Sequence, residues 1–166
     1  MTGPVALLFF MLNGELIMKH SVVRADVLGF CMGVRRAMNK VQDVLRRCPE
    51  ERIQTYGPLI HNPQALKELS QRGVGRIDSP EDFTGGTVII RAHGVPPQTE
   101  EKLKREGAAI VDGTCPRVTH SMKMVEKSAA KGWEIVLVGD PSHGEVKAVA
   151  GYGGKALIIR TKEEAE

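Results

Sequence analysis

Residues 109–125 read AIVDGTCPRVTHSMKMV and predict a short strand, a loop, a cysteine and a helix, in that order. Proline is favoured at the first position of a helix, so Pro116 makes Cys115 the expected N-cap. The same order occurs around Cys31, after the apolar run at residues 22–28. Aligned on their cysteines, both segments carry valine, methionine and valine at offsets of 3, 7 and 10, namely Val34, Met38 and Val41 in the first and Val118, Met122 and Val125 in the second. A repeated strand–loop–helix unit predicts an α/β protein with largely parallel sheets.

Further strands and helices alternate along the chain. The predicted strands are Val22 to Leu28, Arg52 to Tyr56, Thr87 to Arg91, Ala109 to Val111, Glu134 to Val138 and Ala156 to Ile159. The first helix carries an apolar face from Val34 to Leu45 and ends before Pro49. The second begins at the cap Asn62-Pro63 and ends at Gly73, the third runs from Pro97 to Glu106, and the fourth runs from Pro116 to the residue before Gly132.

These patterns divide the chain into three parts. Residues 19–111 are predicted to form a first α/β lobe, and residues 112–166 an incomplete second one. Residues 1–18 are interpreted as a non-functional extension, because the apolar run PVALLFFML lacks the flanks of a signal peptide and is too short to span a bilayer. Residues 161–164 (TKEE) form a capping box that announces a helix two residues before the chain ends, so we expect a truncated protein.

Composition excludes several classes of protein. With 42% apolar and 26% charged residues the chain can bury a core, and a net charge of +3 with 4% aromatics predicts neither a nucleic-acid partner nor a membrane partner. Three cysteines, with no CxxC pair, argue against a zinc ribbon, a thioredoxin motif and a paired disulfide scaffold. The remaining explanation for the cysteines is that they are free thiols or metal thiolates in a reducing compartment. The sequence therefore favours a cytoplasmic protein.

Cysteines and histidines follow the predicted strands, where ligands of open α/β sheets gather. They are Cys31, His61, His93, Cys115 and His143. A thiol at a helix N-cap has its thiolate stabilised by the helix dipole, as a metal ligand or a nucleophile requires. Histidines beside helix N-termini can donate hydrogen bonds to a phosphate, although a cysteine can also be a small core residue and a loop histidine can simply cap backbone groups.

Two further residues are weighed for the same chemistry. Glu145 is either an acid favoured by the first turn of a helix or a proton donor assisted by His143. Cys48 follows Arg46 and Arg47 at the C-terminal end of a helix, where the dipole opposes a thiolate. Cys48 is therefore not predicted to be a ligand.

Five motifs in this order resemble the N-terminal motifs of the LytB/IspH reductases. They are GFCMGV at residues 29–34, GPLIHN at 57–62, RAHGV at 91–95, DGTCP at 112–116 and HGEV at 143–146. The resemblance extends from about residue 21 to the end of the chain. Gly144 departs from the commoner His-Pro-Glu form of the last motif but leaves its histidine and its glutamate in place.

The resemblance implies a trefoil of three α/β lobes, each giving one cysteine to a central 4Fe-4S cluster, with the third lobe absent from this chain. By motif position, Cys31 and Cys115 would bind the cluster, His61, His93 and His143 would bind substrate, mainly its diphosphate, and Glu145 would donate a proton. The implied reaction is the reductive dehydroxylation of 4-hydroxy-3-methylbut-2-enyl diphosphate to isopentenyl and dimethylallyl diphosphate, with electrons from ferredoxin or flavodoxin.

Alternatives remain because the family's third cysteine, Thr-rich loop and Asn-Ser-Ser-Asn motif belong to a C-terminal half, which is one candidate partner of this chain. The chain is then either part of the reductase or a non-catalytic fragment, an anion-binding α/β module without a cluster. A hydrolase with Cys115 as its nucleophile is a weaker alternative, because no third group is marked to orient a histidine.

Overall fold

The computed structural model describes residues 28–166, together with residues 11, 12, 15, 16, 23, 25 and 26. Near the N-terminus, β1 (Met11–Leu12) pairs antiparallel with β2 (Glu15–Leu16). The rest of the predicted extension, residues 1–18, lies outside the described residues. The predicted division at residues 18 and 111 stays a prediction.

Two parallel sheets organise the described chain. The main sheet contains β3 (Ile53–Tyr56), β4 (Val74–Ile77), β5 (Thr87–Ile90) and β6 (Ala109–Asp112) in the order β4-β3-β5-β6, with all three pairings parallel. The second sheet pairs β7 (Val136–Val138) with β8 (Leu157–Ile159), also parallel. The predicted α/β class with largely parallel sheets is confirmed.

Five α-helices lie between the strands of the described residues. They are α1 (Met32–Arg47), α2 (Pro63–Gln71), α3 (Pro97–Arg105), α4 (Pro116–Ala130) and α5 (Gly144–Ala150). Local capping explains where they begin, since the Asn62 side chain accepts a hydrogen bond from the Ala65 amide at 2.9 Å and Pro63 occupies the first position of α2. Among the described residues, no helix is long and apolar enough to cross a membrane.

Apolar side chains cover both faces of the main sheet. Successive residues of a strand point to opposite faces, so in β5 the Ile89 side chain packs with α1 and α2, whereas Val88 and Ile90 pack with Leu103 of α3. A third cluster joins α4 to α5 through Val118, Met122, Ala148 and Val149. The central strand β5 is buried along its whole length, as expected for a parallel strand covered on both faces.

Three sequence predictions differ from the structure. The edge strand β4 was not predicted, because its sequence VGRI contains a glycine and an exposed arginine. Of the predicted strand Val22 to Leu28, residues 22, 24 and 27 lie outside the described residues, and the four that are described are not in a strand. The capping box at residues 161–164 starts a 3-10 turn, Glu163–Ala165, and Thr161 Oγ1 accepts a hydrogen bond from the Glu164 amide at 3.4 Å.

Gly86, the residue before β5, lies very close to the backbone of Arg52. Its φ is +91°, and a Cβ atom there would overlap the Arg52 carbonyl oxygen, which accepts the Thr87 amide. Gly85 also has a positive φ, +100°, but open space around it. We expect Gly85→Ala to cost about 1–2 kcal/mol of backbone strain and Gly86→Ala to cost ~1–3 kcal/mol more from the overlap, measured by urea unfolding. Equal losses in both variants would contradict this account of Gly86.

Candidate functional site

Backbone hydrogen bonds align three loops at the carboxyl edge of the main sheet. The loops follow the neighbouring strands β3, β5 and β6. The Ala92 amide donates to the Leu59 carbonyl at 3.2 Å, and the Cys115 amide donates to the Ala92 carbonyl at 2.9 Å. The loops that carry His61, His93 and Cys115 are therefore connected side by side through main-chain groups alone.

Three histidines converge above this edge. Ring centroids lie 4.8 Å apart for His61 and His93, 5.2 Å for His93 and His143, and 6.2 Å for His61 and His143. One ring nitrogen of each lies within 4.8 Å of the others. His143 is the N-cap of α5, and its Nδ1 accepts a hydrogen bond from the Glu145 amide at 3.3 Å. Such a cluster can donate hydrogen bonds to an anion or, by closing slightly, coordinate a divalent metal ion.

His93 is the half-buried member of this histidine cluster. Burial, and after it the positive charges of His61, Arg91 and His143, together lower the pKa of His93 to about 4. His93 is therefore neutral at pH 7, with one ring nitrogen that donates a hydrogen bond and one that accepts.

The lowered pKa of His93 predicts a pH dependence of stability. The unfolded chain takes up a proton near pH 6.5, whereas folded His93 does so only near pH 4, so the free energy of unfolding should fall as the pH decreases between these values. NMR titration should show the His93 ring neutral at pH 5, and His93→Gln should weaken the dependence in urea unfolding. The variant His120→Gln, on the exposed side of α4, is the control. A His93 midpoint near 6.5 would contradict the prediction.

Cys31 and Cys115 occupy equivalent positions at two helix N-termini. Cys31 is the N-cap of α1 and Cys115 the N-cap of α4, and neither side chain forms a capping hydrogen bond. Both are free thiols, exposed in the case of Cys31 and half-buried in the case of Cys115. The first turn of α1 packs against Cys115, because a Cβ atom on Gly33 would lie 2.6 Å from its Sγ. Two thiols at helix N-termini thus border the same region, a suitable partial ligand set for an iron–sulfur cluster.

Cys48 cannot join these two thiols. It is the C-cap of α1, and the sixteen residues of that helix separate it from the Cys31 end. At a rise of 1.5 Å per residue the separation is about 24 Å, far beyond the reach of a shared cluster. The structure therefore places Cys48 away from the candidate site. The sequence had not predicted Cys48 to be a ligand.

Glu145 lies in the first turn of α5, two residues after His143, and its side chain is half-buried. Among the hydrogen bonds and ion pairs of the described residues, none involves its carboxylate. The carboxylate thus has no hydrogen-bond or ion-pair partner among the described residues.

Arg91 is the site residue that sequence reasoning missed. It follows β5 directly, and a Cβ atom on Gly57 or Gly144 would lie 2.7 Å or 2.6 Å from its guanidinium nitrogens. Arg91 stands inside the RAHGV motif, but the local sequence does not show which loops its long side chain reaches.

Comparison with known proteins identifies the family. A family model described as LytB protein matches residues 22–166. The chain belongs to the LytB family. Among its LytB relatives, the 4-hydroxy-3-methylbut-2-enyl diphosphate reductase of Treponema denticola is 41% identical over 152 residues, covering 87% of this chain and 52% of the relative. The reductase of the same name from Aquifex aeolicus is 37% identical over 147 residues, covering 86% of this chain and 50% of the relative.

Solved structures of LytB-type reductases share the fold. One, of (E)-4-hydroxy-3-methyl-but-2-enyl diphosphate reductase, the terminal enzyme of the non-mevalonate pathway, is 39% identical with a TM-score of 0.72, covering 82% of this chain and 50% of that one. The E-1-hydroxy-2-methyl-but-2-enyl-4-diphosphate reductase from Plasmodium falciparum is 29% identical with a TM-score of 0.78, covering 82% and 43%. The chain spans about half the length of the curated relatives it matches.

Proposed function

We propose that this chain provides the substrate-binding histidines and two cluster thiolates of a 4-hydroxy-3-methylbut-2-enyl diphosphate reductase. The observation that carries the proposal is the convergence of His61, His93 and His143, joined through the Ala92–Cys115 hydrogen bond to the region of the two N-cap cysteines. Membership of the LytB family and the names of the relatives support it.

The reaction is a two-electron reduction. The C–O bond of the allylic alcohol breaks, a C–H bond forms, and two protons and two electrons are consumed as the hydroxyl group leaves as water, giving isopentenyl or dimethylallyl diphosphate. A 4Fe-4S cluster held by Cys31 and Cys115 would supply the electrons and a Lewis-acidic iron. Ferredoxin or flavodoxin is the proposed external electron donor.

The chain's own residues bind the substrate and move a proton. Ring N–H groups of the histidine cluster donate hydrogen bonds to the diphosphate, and His93 does so as a neutral imidazole at pH 7. Glu145, in the first turn of α5, is the proposed proton donor, with His143 beside it in the chain. The remote diphosphate contacts position the allylic end for reaction.

A third thiolate must come from outside the described site, because Cys48 lies at the far end of α1. A polypeptide corresponding to the C-terminal half of the relatives is the proposed source. We call this chain together with the second half of the Aquifex aeolicus relative the completed assembly.

Anaerobic reconstitution with iron and sulfide tests the proposed function. The completed assembly should become brown, show an EPR signal after reduction, and convert the diphosphate substrate when dithionite supplies electrons. The chain alone should bind inorganic pyrophosphate but hold iron weakly. A completed assembly that folds and associates yet binds no iron would exclude the reductase proposal.

The alternative of a non-catalytic, anion-binding module is favoured by one observation: of the three cysteines among the described residues, two, Cys31 and Cys115, are helix N-caps, and the third lies at the opposite end of α1. Pyrophosphate binding by the chain, together with a colourless completed assembly, would support that alternative. Loss of pyrophosphate binding in the His93→Gln variant would locate the bound anion at the histidines in either case.

A further inference from the structure

The guanidinium of Arg91 occupies a slot between the loop after β3 and the start of α5. A Cβ atom on Gly57 would lie 2.7 Å from Nη1, and a Cβ atom on Gly144 would lie 2.6 Å from Nη2 and 2.8 Å from Cζ. Side chains do not approach this closely, so any residue larger than glycine at either position would displace the guanidinium. The two glycines therefore form the walls that receive the planar group.

Each wall belongs to a histidine loop. Gly57 begins the loop after β3 that ends at His61, and Gly144 directly follows His143. Arg91 itself precedes His93 by two residues. We propose that Arg91 is a positioning residue whose guanidinium sets the spacing of the His61 and His143 loops around His93. This rests on the proposed function, because it specifies how the diphosphate site is assembled.

Arg91 has no ion-pair partner among the described residues, and the nearby carboxylate of Asp78, which acts on its charge, is paired with Arg76. The Arg91 side chain is half-buried, and its Nε makes one long hydrogen bond of 3.5 Å to the Gly94 carbonyl. Burial lowers the pKa of the guanidinium, yet arginine stays charged in proteins. The Arg91 guanidinium is thus also a fixed positive charge beside the histidine cluster. This charge favours the binding of an anion at the cluster.

Gly144 meets the Arg91 side chain on the side where a Cβ atom would stand. The three nearest atoms to a Cβ at residue 144 all belong to Arg91. Gly144 has no positive φ, so alanine there would be unstrained apart from that overlap. Gly144→Ala therefore displaces the guanidinium while keeping its charge in the protein.

The test uses the full chain with the variants Arg91→Met, Arg91→Lys and Gly144→Ala and with the double variant that combines Arg91→Met and Gly144→Ala. Imidazole NMR signals report loop spacing in the ligand-free protein, and calorimetry reports affinity for inorganic pyrophosphate. Arg91→Met should shift the His61 and His143 signals and weaken pyrophosphate binding about tenfold or more. Gly144→Ala should shift the same signals and weaken binding in the same way. Arg91→Lys should bind pyrophosphate more tightly than Arg91→Met but less tightly than the wild type. The double variant should bind pyrophosphate no more weakly than the more impaired of its two single variants.

Several outcomes would overturn the inference. Unchanged histidine signals in ligand-free Arg91→Met, with weaker pyrophosphate binding, would make Arg91 a direct ligand instead of a positioning residue. Additive losses in the double variant would separate Gly144 from Arg91. The variant His93→Gln serves as the reference. If this variant binds pyrophosphate as tightly as the wild type, the proposal that the histidines bind the anion is wrong. The histidine NMR signals of the Arg91 variants would still decide whether Arg91 is a positioning residue.

Discussion

Replacing Cys115 with serine in the completed assembly is expected to remove stable iron binding and to lower the turnover rate at least about a hundredfold. Cys115 is the N-cap of α4 and packs against the first turn of α1, so no other thiol of the described chain can take its place. Iron content, the EPR signal and turnover measure the effect. Serine is nearly isosteric and keeps the cap position, so the fold should be retained.

Cys48→Ser is the matched control for Cys115→Ser. Its thiol lies at the C-terminal end of α1, about 24 Å from the N-cap by helix geometry, and should be dispensable for iron binding. If the two variants lose iron to the same extent, the assignment of the ligands by helix N-termini is wrong. If neither loses iron, the chain does not bind the cluster through Cys115.

Glu145→Gln carries the second large expected effect, a fall in turnover of about 10²–10⁴-fold, which is typical for loss of a general acid. Glutamine keeps the size of the side chain and its place in the first turn of α5 but has no acidic proton to transfer. Pyrophosphate binding by the chain should change little, because the histidines that bind it are intact. Turnover and calorimetry together separate the two effects.

Glu126→Gln provides the control for Glu145→Gln, since Glu126 is exposed on α4 and lies outside the histidine cluster. It should leave turnover unchanged. Wild-type turnover in the Glu145 variant would exclude Glu145 as the proton donor. Weakened pyrophosphate binding without slower turnover at saturating substrate would instead give Glu145 a role in binding.

The sequence predicted those elements whose signals are local. Asn62 and Pro63 fix the start of α2, and Pro116 fixes that of α4, because capping depends on neighbours along the chain. The strand β4 was missed because it lies at an edge of the main sheet, where Gly75 and Arg76 are exposed. An edge strand needs less apolar surface, so its pattern is weak.

The residues of the candidate site that lie at strand ends and helix starts could be predicted from the sequence. His61, His93 and Cys115 each follow a strand of one parallel sheet, and such strands end at the same edge. The place of Arg91 was not predictable, because Gly57 is 34 residues before it and Gly144 is 53 residues after it. Only tertiary packing brings a side chain of that length between these two backbones.

The hydrogen bonds from Ala92 to Leu59 and from Cys115 to Ala92 join main-chain atoms only. A point substitution in these loops to any residue except proline changes one side chain but keeps the amide and carbonyl groups that form these hydrogen bonds. An inserted or deleted residue, in contrast, shifts the amide that must meet the next loop's carbonyl and so moves a neighbouring histidine or cysteine. Evolution can therefore vary the chemistry at this edge residue by residue, while the lengths of the three loops are constrained together.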